Sequence, residues 1–253
     1  MTRVGGGRFP TVGVALVTGP TAGIGREIAF ELALQGHELI LVARDERRLN
    51  DLADELGNCR VLAADLSDRE QLKQVEQAAT EVDWLVNNAG YGITQSFLES
   101  TVEQEQALLD VLVVAVMRLT HAALPGMVER GRGRILNVSS VAGWLPMGTY
   151  SAAKAWVTTF TEGLAAGTPA GIHATALCPG FTRTEFHERA DMRVDGPGWM
   201  WLDAGAVARQ GVRDCERGVV LSVPSRRYWA AATAARYTPR RILRAATKPK
   251  EFR

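Results

Sequence analysis

The sequence predicts an α/β fold, a doubly wound parallel sheet of about seven strands with helices on both faces. Short β-branched or apolar runs recur along the chain, and a longer stretch with helical periodicity follows each of them. From residue 11 to residue 223 there is no internal repeat, no low-complexity tract and no Pro/Ser-rich linker, which indicates one domain. We therefore expect a single domain over 11–223, a flexible arm over 1–10 and a basic extension over 224–253.

Each predicted strand is a short apolar run bounded by turn residues or polar residues. The predicted strands are 12–18, 38–43, 60–64, 84–87, 134–139 and 173–178, with a seventh candidate at 218–221. Helices are expected between them. The first, 24–34, places Ile24, Ile28 and Leu32 on one face, as a helix that packs on a sheet requires. Gly36 is expected to end this helix.

Composition and charge argue against several classes of protein. The formal net charge of +1 gives no overall field that would attract nucleic acid. The three cysteines form no CxxC pair and the four histidines show no HxxxH or HExxH spacing, so we expect neither a disulfide framework nor a metal site. The N-terminus has no long apolar run, so we expect no signal peptide and a cytoplasmic protein.

A glycine-rich turn joins the first predicted strand to the first helix. It spans residues 18–25 and reads TGPTAGIG. Glycines let the backbone approach phosphate groups closely, and the free N–H groups and the dipole at a helix start favour negative charge. A turn that only caps the helix is the alternative interpretation. The residues predicted to bind a dinucleotide pyrophosphate are Gly19, Thr21, Gly23, Ile24 and Gly25.

Two later segments carry candidate catalytic groups. Residues 137–140 (NVSS) close a predicted strand, and residues 150–154 (YSAAK) open a helix. Tyr150 and Lys154 are one helical turn apart and project toward one point. A tyrosine titrates near pH ~10, so it needs a nearby positive charge such as Lys154 to act as a base. A serine at the strand end can then hydrogen-bond a substrate oxygen while Tyr150 donates or accepts a proton. The alternative is an amphipathic helix with surface Tyr and Lys.

The sequence resembles the short-chain dehydrogenase/reductase family in four motifs and in their order along the chain. These are the GxxxGxG turn, the NNAG segment at 87–90, the serine strand end and the YxxxK pair. The resemblance extends from about residue 12 to about residue 223 and implies one Rossmann-like domain that transfers hydride between a nicotinamide cofactor and a carbonyl or alcohol substrate. It implies Ser140 as the partner of Tyr150 and Lys154. The interval between Ser140 and Tyr150 is shorter than in many members, so Ser139 is the alternative serine.

The resemblance also implies a choice of cofactor. The family's NAD-selecting acid falls at Ala43 here, and Arg44 follows it. This implies NADP(H) in preference to NAD(H), because a guanidinium group pairs with a 2′-phosphate. In the alternative interpretation Arg44 is solvated and Asp45 binds the ribose hydroxyls. The further cofactor contacts that the resemblance implies are Tyr150, Lys154, Asp65, Asn87, Ala89, Gly90, Pro179, Gly180, Thr182 and Thr184.

The chain departs from the family pattern in the helix before the serine strand. Many members have an asparagine there that helps to hold a water in the proton path, and this chain has Leu112 within the run DVLV. A backbone carbonyl can still hold such a water, so the departure predicts slower or altered proton supply. It also leaves a second hypothesis open, a nucleotide-binding sensor or scaffold with weak or no turnover.

Two further segments bear on partners. Residues 185–202 correspond to the family's substrate lid, and their aromatic and methionine side chains predict an apolar carbonyl or alcohol substrate, unless they pack only on one another. The basic extension is expected to be solvated helix, with weak contact to an anionic membrane or to a neighbouring subunit as the alternatives. The resemblance implies a homodimer or homotetramer that pairs through the long helices before Gly131 and after Tyr150. No nucleic-acid partner is expected.

Overall fold

Seven parallel strands form one sheet in the computed structural model, which confirms the predicted fold class. In chain order the strands are β1 (Val14–Thr18), β2 (Glu38–Ala43), β3 (Cys59–Ala63), β4 (Trp84–Asn87), β5 (Gly133–Val138), β6 (Ile172–Leu177) and β7 (Leu221–Ser222). Across the sheet the order is β3-β2-β1-β4-β5-β6-β7. The structure describes residues 12–185 and 197–247, so the predicted arm at 1–10 and the end of the basic extension at 248–253 lie outside the described residues.

Helices connect the strands and lie on both faces of the sheet. The described α-helices are α1 (Gly23–Leu34), α2 (Glu46–Leu56), α3 (Arg69–Ala79), α4 (Val102–Leu109), α5 (Ala115–Glu129), α6 (Thr149–Gly167), α7 (Ala204–Glu216), α8 (Arg226–Tyr237) and α9 (Arg240–Ala246). A π-helix at Asp110–Val114 joins α4 to α5. Short 3-10 helices lie at Val141–Trp144 and Gly198–Met200.

Alternate side chains of the central strands enter two separate cores. In β1, Val17 belongs to the core that Ile28 and Leu32 of α1 cover, and Leu16 belongs to the opposite core with Leu119 of α5. All five side chains are fully buried. Because both faces of a parallel sheet are covered, its strands are apolar at nearly every position. This explains why the strands appear in the sequence as continuous apolar runs.

The seventh strand differs from its predicted position at 218–221, because only residues 221 and 222 pair with β6. Gly218 instead ends α7 with a φ of 72°. Its N–H donates to Cys215 at 3.1 Å, and the N–H of Val219 donates to Asp214 at 2.9 Å. This pattern is a Schellman motif. The residues just before the strand therefore belong to the end of α7.

The continuous helical stretch from Val102 to Glu129 is apolar enough, by length and composition alone, to cross a membrane, with a mean hydropathy of 1.8. In the fold its second half packs on the sheet, since Leu119, Ala123 and Met127 are fully buried there. The apolar composition of this half therefore reflects its place in the core of the domain.

The helices α8 and α9 are attached to the domain. Ala232 and Leu243 are the buried side chains of these helices, at 8% and 9% exposure. The hydroxyl of Thr247 donates to the carbonyl of Pro146 at 3.3 Å. The described part of the basic extension is therefore a folded element against the 3-10 helix at Val141–Trp144.

Candidate active site

The predicted site residues follow the carboxyl ends of neighbouring strands. Strands β1 and β4 are adjacent at the centre of the sheet, while the chain continues from β1 to β2 on one side and from β4 to β5 on the other. Such a reversal opens a crevice at the carboxyl ends of the two strands, where doubly wound sheets bind their ligands. The glycine turn follows β1, the NNAG segment follows β4 and Ser140 follows β5, so all three border this crevice.

Two polar residues join the glycine turn to the NNAG segment. The Nδ2 of Asn88 donates to the carbonyls of Thr18 and Gly19, at 2.9 Å each. The hydroxyl of Thr18 accepts from the N–H groups of Asn88 and Ala89 at 3.0 Å each, and donates to Val86 at 3.2 Å. These bonds fix the two walls of the crevice to each other. Sequence reasoning missed both roles, although the NNAG motif itself contains Asn88.

Glycine is required at two positions of the turn. Gly19 and Gly23 have φ values of 64° and 57°, in the left-handed region that favours glycine. A Cβ on Gly19 would lie 2.9 Å from the Cα of Ala89, and a Cβ on Gly23 would lie 2.9 Å from the Cβ of Thr184. The turn therefore packs directly against the NNAG segment on one side and the loop after β6 on the other.

The N-terminus of α1 differs from those of the next two helices in lacking a side-chain cap. Its N-cap residue, Ala22, provides no capping side chain, whereas Asp45 and Asp68 cap α2 and α3. The first N–H groups of a helix have no acceptor within the helix and carry partial positive charge. Together with the close glycine turn, this arrangement fits a pyrophosphate better than it fits a turn that only caps a helix.

Arg44 and Asp65 follow β2 and β3, on the far side of β1 and β4 from Ser140. Tyr91 follows β4 and packs on the same apolar cluster as Tyr150. Arg44 is exposed and Asp65 is half-buried. Burial raises the pKa of Tyr91, and the positive charge of Arg44 partly opposes this shift. The side chain of Asp45 accepts the N–H of Arg48 at 3.1 Å as the N-cap of α2. Asp45 is exposed like Arg44, but this contact engages its side chain within α2.

Arg48 spans the mouth of the crevice. One guanidinium nitrogen donates to the carbonyl of Thr21 in the glycine turn at 2.9 Å. The same nitrogen pairs with Glu185, at the end of the loop after β6, at 3.1 Å. The side chains are 40% and 46% exposed, so the pair contributes only about 0.2–1 kcal/mol. Its main effect is on structure, because Arg48 joins the glycine turn to the end of the loop after β6.

Ser140, Tyr150 and Lys154 lie together at the other end of the crevice. The hydroxyls of Ser140 and Tyr150 are hydrogen-bonded to each other. The Oγ of Ser140 also accepts the N–H of Ala142 at 3.1 Å, which fixes its orientation. The Nζ of Lys154 is 5.8 Å from the centre of the Tyr150 ring. The fold thus brings the three predicted catalytic side chains to one point.

Ser139 has a different environment from Ser140. It is 2% exposed, and its hydroxyl donates to the backbone carbonyl of Lys154 at 2.8 Å and lies 2.7 Å from the hydroxyl of Thr158. These bonds tie β5 to α6 and fix the backbone that carries Lys154. They place Ser140, rather than Ser139, beside Tyr150.

Burial determines the protonation of the tyrosine and the lysine. It raises the pKa of Tyr150 to about 12, against a smaller opposite effect of the hydrogen bond from Ser140. It lowers the pKa of Lys154 to about 8, and the Nζ donates to the carbonyl of Val138 at 2.6 Å. At neutral pH Tyr150 therefore holds its proton and most Lys154 is charged. The predicted lowering of the Tyr150 pKa by Lys154 is not found, because burial dominates and the opposing effect comes from Ser140.

Leu112, at the position of the family's asparagine, fills space beneath the NNAG segment. It is 1% exposed and packs in an apolar cluster with Leu108, against which Tyr150 also packs. A Cβ on Gly90 would lie 2.7 Å from its Cδ2. The Leu112 side chain therefore contributes apolar packing next to Tyr150, where an asparagine could form hydrogen bonds.

The side chain of Asn87, a predicted cofactor contact, enters the core. Asn87 is 4% exposed, and its Nδ2 donates to Asn137 at 2.8 Å and to Thr120 at 3.3 Å. Asn137 in turn donates to Thr161 at 2.9 Å. This buried chain of polar groups links β4, α5, β5 and α6. Only the backbone of Asn87 is available to a ligand, because its side chain stabilises the sheet.

The loop after β6 carries the other four predicted contacts. Pro179 and Thr182 are buried, while Gly180 and Thr184 are half-buried. The hydroxyl of Thr182 donates to the carbonyl of Gly180 at 3.0 Å. That of Thr184 donates to the carbonyl of Thr182 at 3.5 Å. Thr184 also packs on Gly23, so this loop reaches the glycine turn at the start of α1.

Tyr228 of α8 holds this loop from outside, and no sequence pattern indicates it. Its hydroxyl accepts the N–H of Phe181 at 3.2 Å and donates to the carbonyl of Met200 at 2.9 Å. A Cβ on Gly180 would overlap the Tyr228 ring. The ring of Trp201 lies 5.8 Å from that of Phe181. The described part of the lid therefore packs on the loop after β6.

The remaining lid residues divide into two groups. Phe186, His187 and Met192 lie at 186–196, outside the described residues. Trp199 is 64% exposed, and the guanidinium of Arg227 lies 5.4 Å above its ring. Trp199 thus remains at the surface, while the ring of Trp201 packs on Phe181 and the carbonyl of Met200 accepts from Tyr228.

Residues 13–194 match the family model described as short chain dehydrogenase. Among curated proteins, the NADP-dependent 3-hydroxy acid dehydrogenase YdfG of Salmonella typhi is 37% identical over 174 residues, which are 65% of this chain and 68% of that protein. The match to the family model includes the glycine turn, the NNAG segment and the Tyr150 helix.

Two solved structures are similar over most of both chains. A short-chain dehydrogenase from Sphingobium yanoikuyae, in complex with NADPH, is 33% identical with a TM-score of 0.81, and the match covers 88% of this chain and 93% of that one. A short-chain dehydrogenase/reductase from Burkholderia phymatum, in complex with NAD, is 27% identical with a TM-score of 0.78 over 89% and 93%. Similar structures therefore hold either nicotinamide cofactor.

Proposed function

Since the chain belongs to the short-chain dehydrogenase/reductase family, we propose that it is an NADP(H)-dependent oxidoreductase acting on an apolar carbonyl or alcohol substrate. Oxidoreductase activity with a nicotinamide cofactor follows from the family. The choice of NADP(H), the substrate class and the catalytic residues are our proposal. The observation that carries it is the joint placement of Ser140, Tyr150 and Lys154 at the end of the crevice.

Each of the three residues has a role that its environment supports. The bound cofactor supplies the hydride in reduction and accepts it in oxidation. Tyr150, protonated at neutral pH because burial raises its pKa to about 12, gives its proton to the substrate oxygen in reduction. Ser140 hydrogen-bonds to the same oxygen and positions it. Lys154 supplies positive charge beside Tyr150, which favours the tyrosinate formed after proton transfer.

We expect ketone reduction with NADPH to slow as the pH rises above about 8. Lys154 is charged below its pKa of about 8 and neutral above it, whereas Tyr150, with a pKa of about 12, keeps its proton throughout this range. Rising pH therefore removes the lysine charge first. The pH profile of kcat/KM for NADPH, which reports the free enzyme, checks this. A profile that stays level to about pH 10, where lysine ordinarily titrates, would contradict the assignment.

Two observations support NADP(H) over NAD(H). Arg44 is exposed at the end of β2, where the adenosine ribose of a dinucleotide lies in such folds. Asp45, the acid that would favour a free 2′-hydroxyl, already accepts a hydrogen bond from the backbone of α2. A guanidinium at this place attracts a 2′-phosphate and offers it paired hydrogen bonds.

The change Arg44→Ala is expected to lower kcat/KM for NADPH by roughly 10- to 100-fold, because a hydrogen bond to a charged group is worth about 1.5–3 kcal/mol. The value for NADH should change little. Arg47→Ala is the matched control, since Arg47 is an exposed arginine on the first turn of α2. Steady-state kinetics with both cofactors measure the effect. Equal losses with NADPH and NADH would remove Arg44 from the 2′-phosphate site.

The apolar character of the proposed substrate has support in the surroundings of Tyr150 and in the loop after β6. The ring of Tyr150 packs on a cluster that includes Leu108, Leu112 and Ile93. In the loop after β6, the ring of Phe181 packs on that of Trp201 from the described part of the lid. Apolar walls with a few placed polar groups are typical of small-molecule sites. We therefore propose an aromatic, aliphatic or steroid-like ketone, or the corresponding alcohol.

Oxidation of NADPH and NADH by the purified protein, measured against a panel of such ketones, tests the proposed function. Turnover with NADPH on at least one ketone is the expected result. Tight NADPH binding without turnover on any ketone would favour the second function, a nucleotide-binding sensor or scaffold. The observation that favours this second function is Leu112, which places an apolar side chain where the family has a hydrogen-bonding one.

A further inference from the structure

Helices α8 and α9 carry a separated block of positive charge. Between Arg217 and Thr247 the chain has seven arginines and no acidic residue, while the net charge of the whole chain is only +1. The rest of the protein is therefore net negative. Within the described residues, no ion pair joins an acid to the exposed arginines of these helices, which include Arg226, Arg236, Arg240, Arg241 and Arg244.

Large apolar side chains are exposed among these arginines. Trp229 is 60% exposed, Tyr237 is 79% exposed and Ile242 is 52% exposed. We call the five arginines and these three side chains the arginine surface. Exposed Trp, Tyr and aliphatic groups beside Arg or Lys are the composition of helices that lie in the interface of a membrane. Arginines alone would be consistent with a solvated helix.

The arginine surface is a fixed part of the domain. Ala232 and Leu243 are the buried side chains that hold the two helices on the domain, and the hydroxyl of Thr247 is hydrogen-bonded to the carbonyl of Pro146. Tyr228 joins α8 to the loop after β6. A surface that is already folded does not lose chain entropy when it binds, which favours binding over that of a loose tail.

We propose that the arginine surface binds the headgroup region of an anionic lipid bilayer. Arginines near such a surface are attracted by its negative potential, and the exposed aromatic and aliphatic groups can enter the boundary of the acyl chains. The net negative remainder of the protein is repelled, which orients α8 and α9 toward the lipid. The phosphates of a nucleic acid would pair with the arginines but would leave Ile242 exposed to water. The exposed apolar groups therefore favour the bilayer.

Docking in this orientation has a consequence for the active site. Tyr228 lies on α8 and holds Phe181 and Met200, which belong to the loop after β6 and to the described part of the lid. The bilayer would therefore lie on the lid side of the protein. The docking itself does not depend on the proposed reaction, and binding can be measured without cofactor or turnover.

Co-sedimentation of the full chain with lipid vesicles tests the proposal. Vesicles of phosphatidylcholine with about one third phosphatidylserine should bind the protein at about 0.05 M salt, and about 0.5 M salt should release it. The triple change Arg240→Gln, Arg241→Gln, Arg244→Gln should lower the partition coefficient by roughly 100-fold, because each arginine near such a surface contributes about a fivefold factor. Trp229→Ala, which keeps the charge, should lower it by about tenfold.

A matched triple variant controls for charge removal. Arg47, Lys73 and Arg213 are exposed elsewhere, and changing all three to Gln should leave the partition coefficient nearly unchanged. Circular dichroism checks that every variant is folded. Equal binding to pure phosphatidylcholine, or equal loss in the control variant, would overturn the proposal. So would binding to single-stranded RNA or duplex DNA without vesicle binding, or a change of subunit number in the Arg240–Arg241–Arg244 variant with vesicle binding intact.

Discussion

Replacing Tyr150 by phenylalanine is expected to lower kcat for ketone reduction by roughly 10²- to 10⁴-fold, the range that one positioned acid or base contributes. The change removes only the hydroxyl that is hydrogen-bonded to Ser140 and leaves the ring in its apolar cluster. The fold and the glycine turn should therefore be retained, and the Kd for NADPH should change far less than kcat. Single-turnover kinetics and a fluorescence titration with NADPH measure the two quantities.

Tyr237→Phe is the control for this prediction. Tyr237 is 79% exposed on α8, so the loss of its hydroxyl should leave both kcat and the Kd for NADPH unchanged. If Tyr150→Phe turned over ketones as fast as the parent protein, Tyr150 would not be the acid. If it lost NADPH binding to the same extent as turnover, the hydroxyl would serve the cofactor rather than the proton transfer.

The second large effect is expected for Gly25→Ala. A Cβ at this position would overlap the Nδ2 of Asn88 and the carbonyl oxygen of Gly19, and these two groups are hydrogen-bonded to each other across the crevice. Either the α1 terminus or the NNAG segment must move. Overpacking of this kind costs about 1–3 kcal/mol. We expect the free energy of unfolding to fall by this amount and the Kd for NADPH to rise by about tenfold or more.

Gly163→Ala is the matched control for Gly25→Ala. Gly163 lies inside α6 with no positive φ, and a Cβ there would have no neighbour within 4 Å. Alanine should stabilise this helix by about 0.5–1 kcal/mol. Urea unfolding and NADPH titration of both variants give the comparison. Gly25→Ala with the stability and affinity of the parent would show that the turn can shift without cost.

The strands could be predicted from the sequence because both faces of the sheet are covered. β2 and β4 agree with their predicted ranges, and the other predicted strands with clear apolar runs differ by only one or two residues at an end. The seventh candidate was misplaced because apolar residues at 218–221 serve two purposes. Gly218 and Val219 end α7, Val220 offers its carbonyl to Ala176 of β6, and of the four residues only Leu221 lies in the strand. Composition does not distinguish a helix cap from a strand start here.

The site could be predicted in part, because its motif residues follow strand ends that meet at one edge of the sheet. What the motifs could not show are contacts between distant segments. The bond between Phe181 and Tyr228 joins residues 47 positions apart, and neither residue carries a local signal. The protonation state of Tyr150 could not be predicted from the sequence either. The proximity of Lys154 suggests a lowered pKa for Tyr150, whereas burial, which only the packed structure reveals, raises it.

The π-helix at Asp110–Val114 separates two registers within one long helix. Its i to i+5 bonds accommodate one more residue in a turn than an α-helix would. Before it, Leu108 contributes to the apolar cluster around Tyr150, and after it Leu119 contributes to the core on the sheet. The extra residue rotates the second half relative to the first. An insertion or deletion of one residue there would misalign either the catalytic wall or the sheet core, while leaving the composition of both intact.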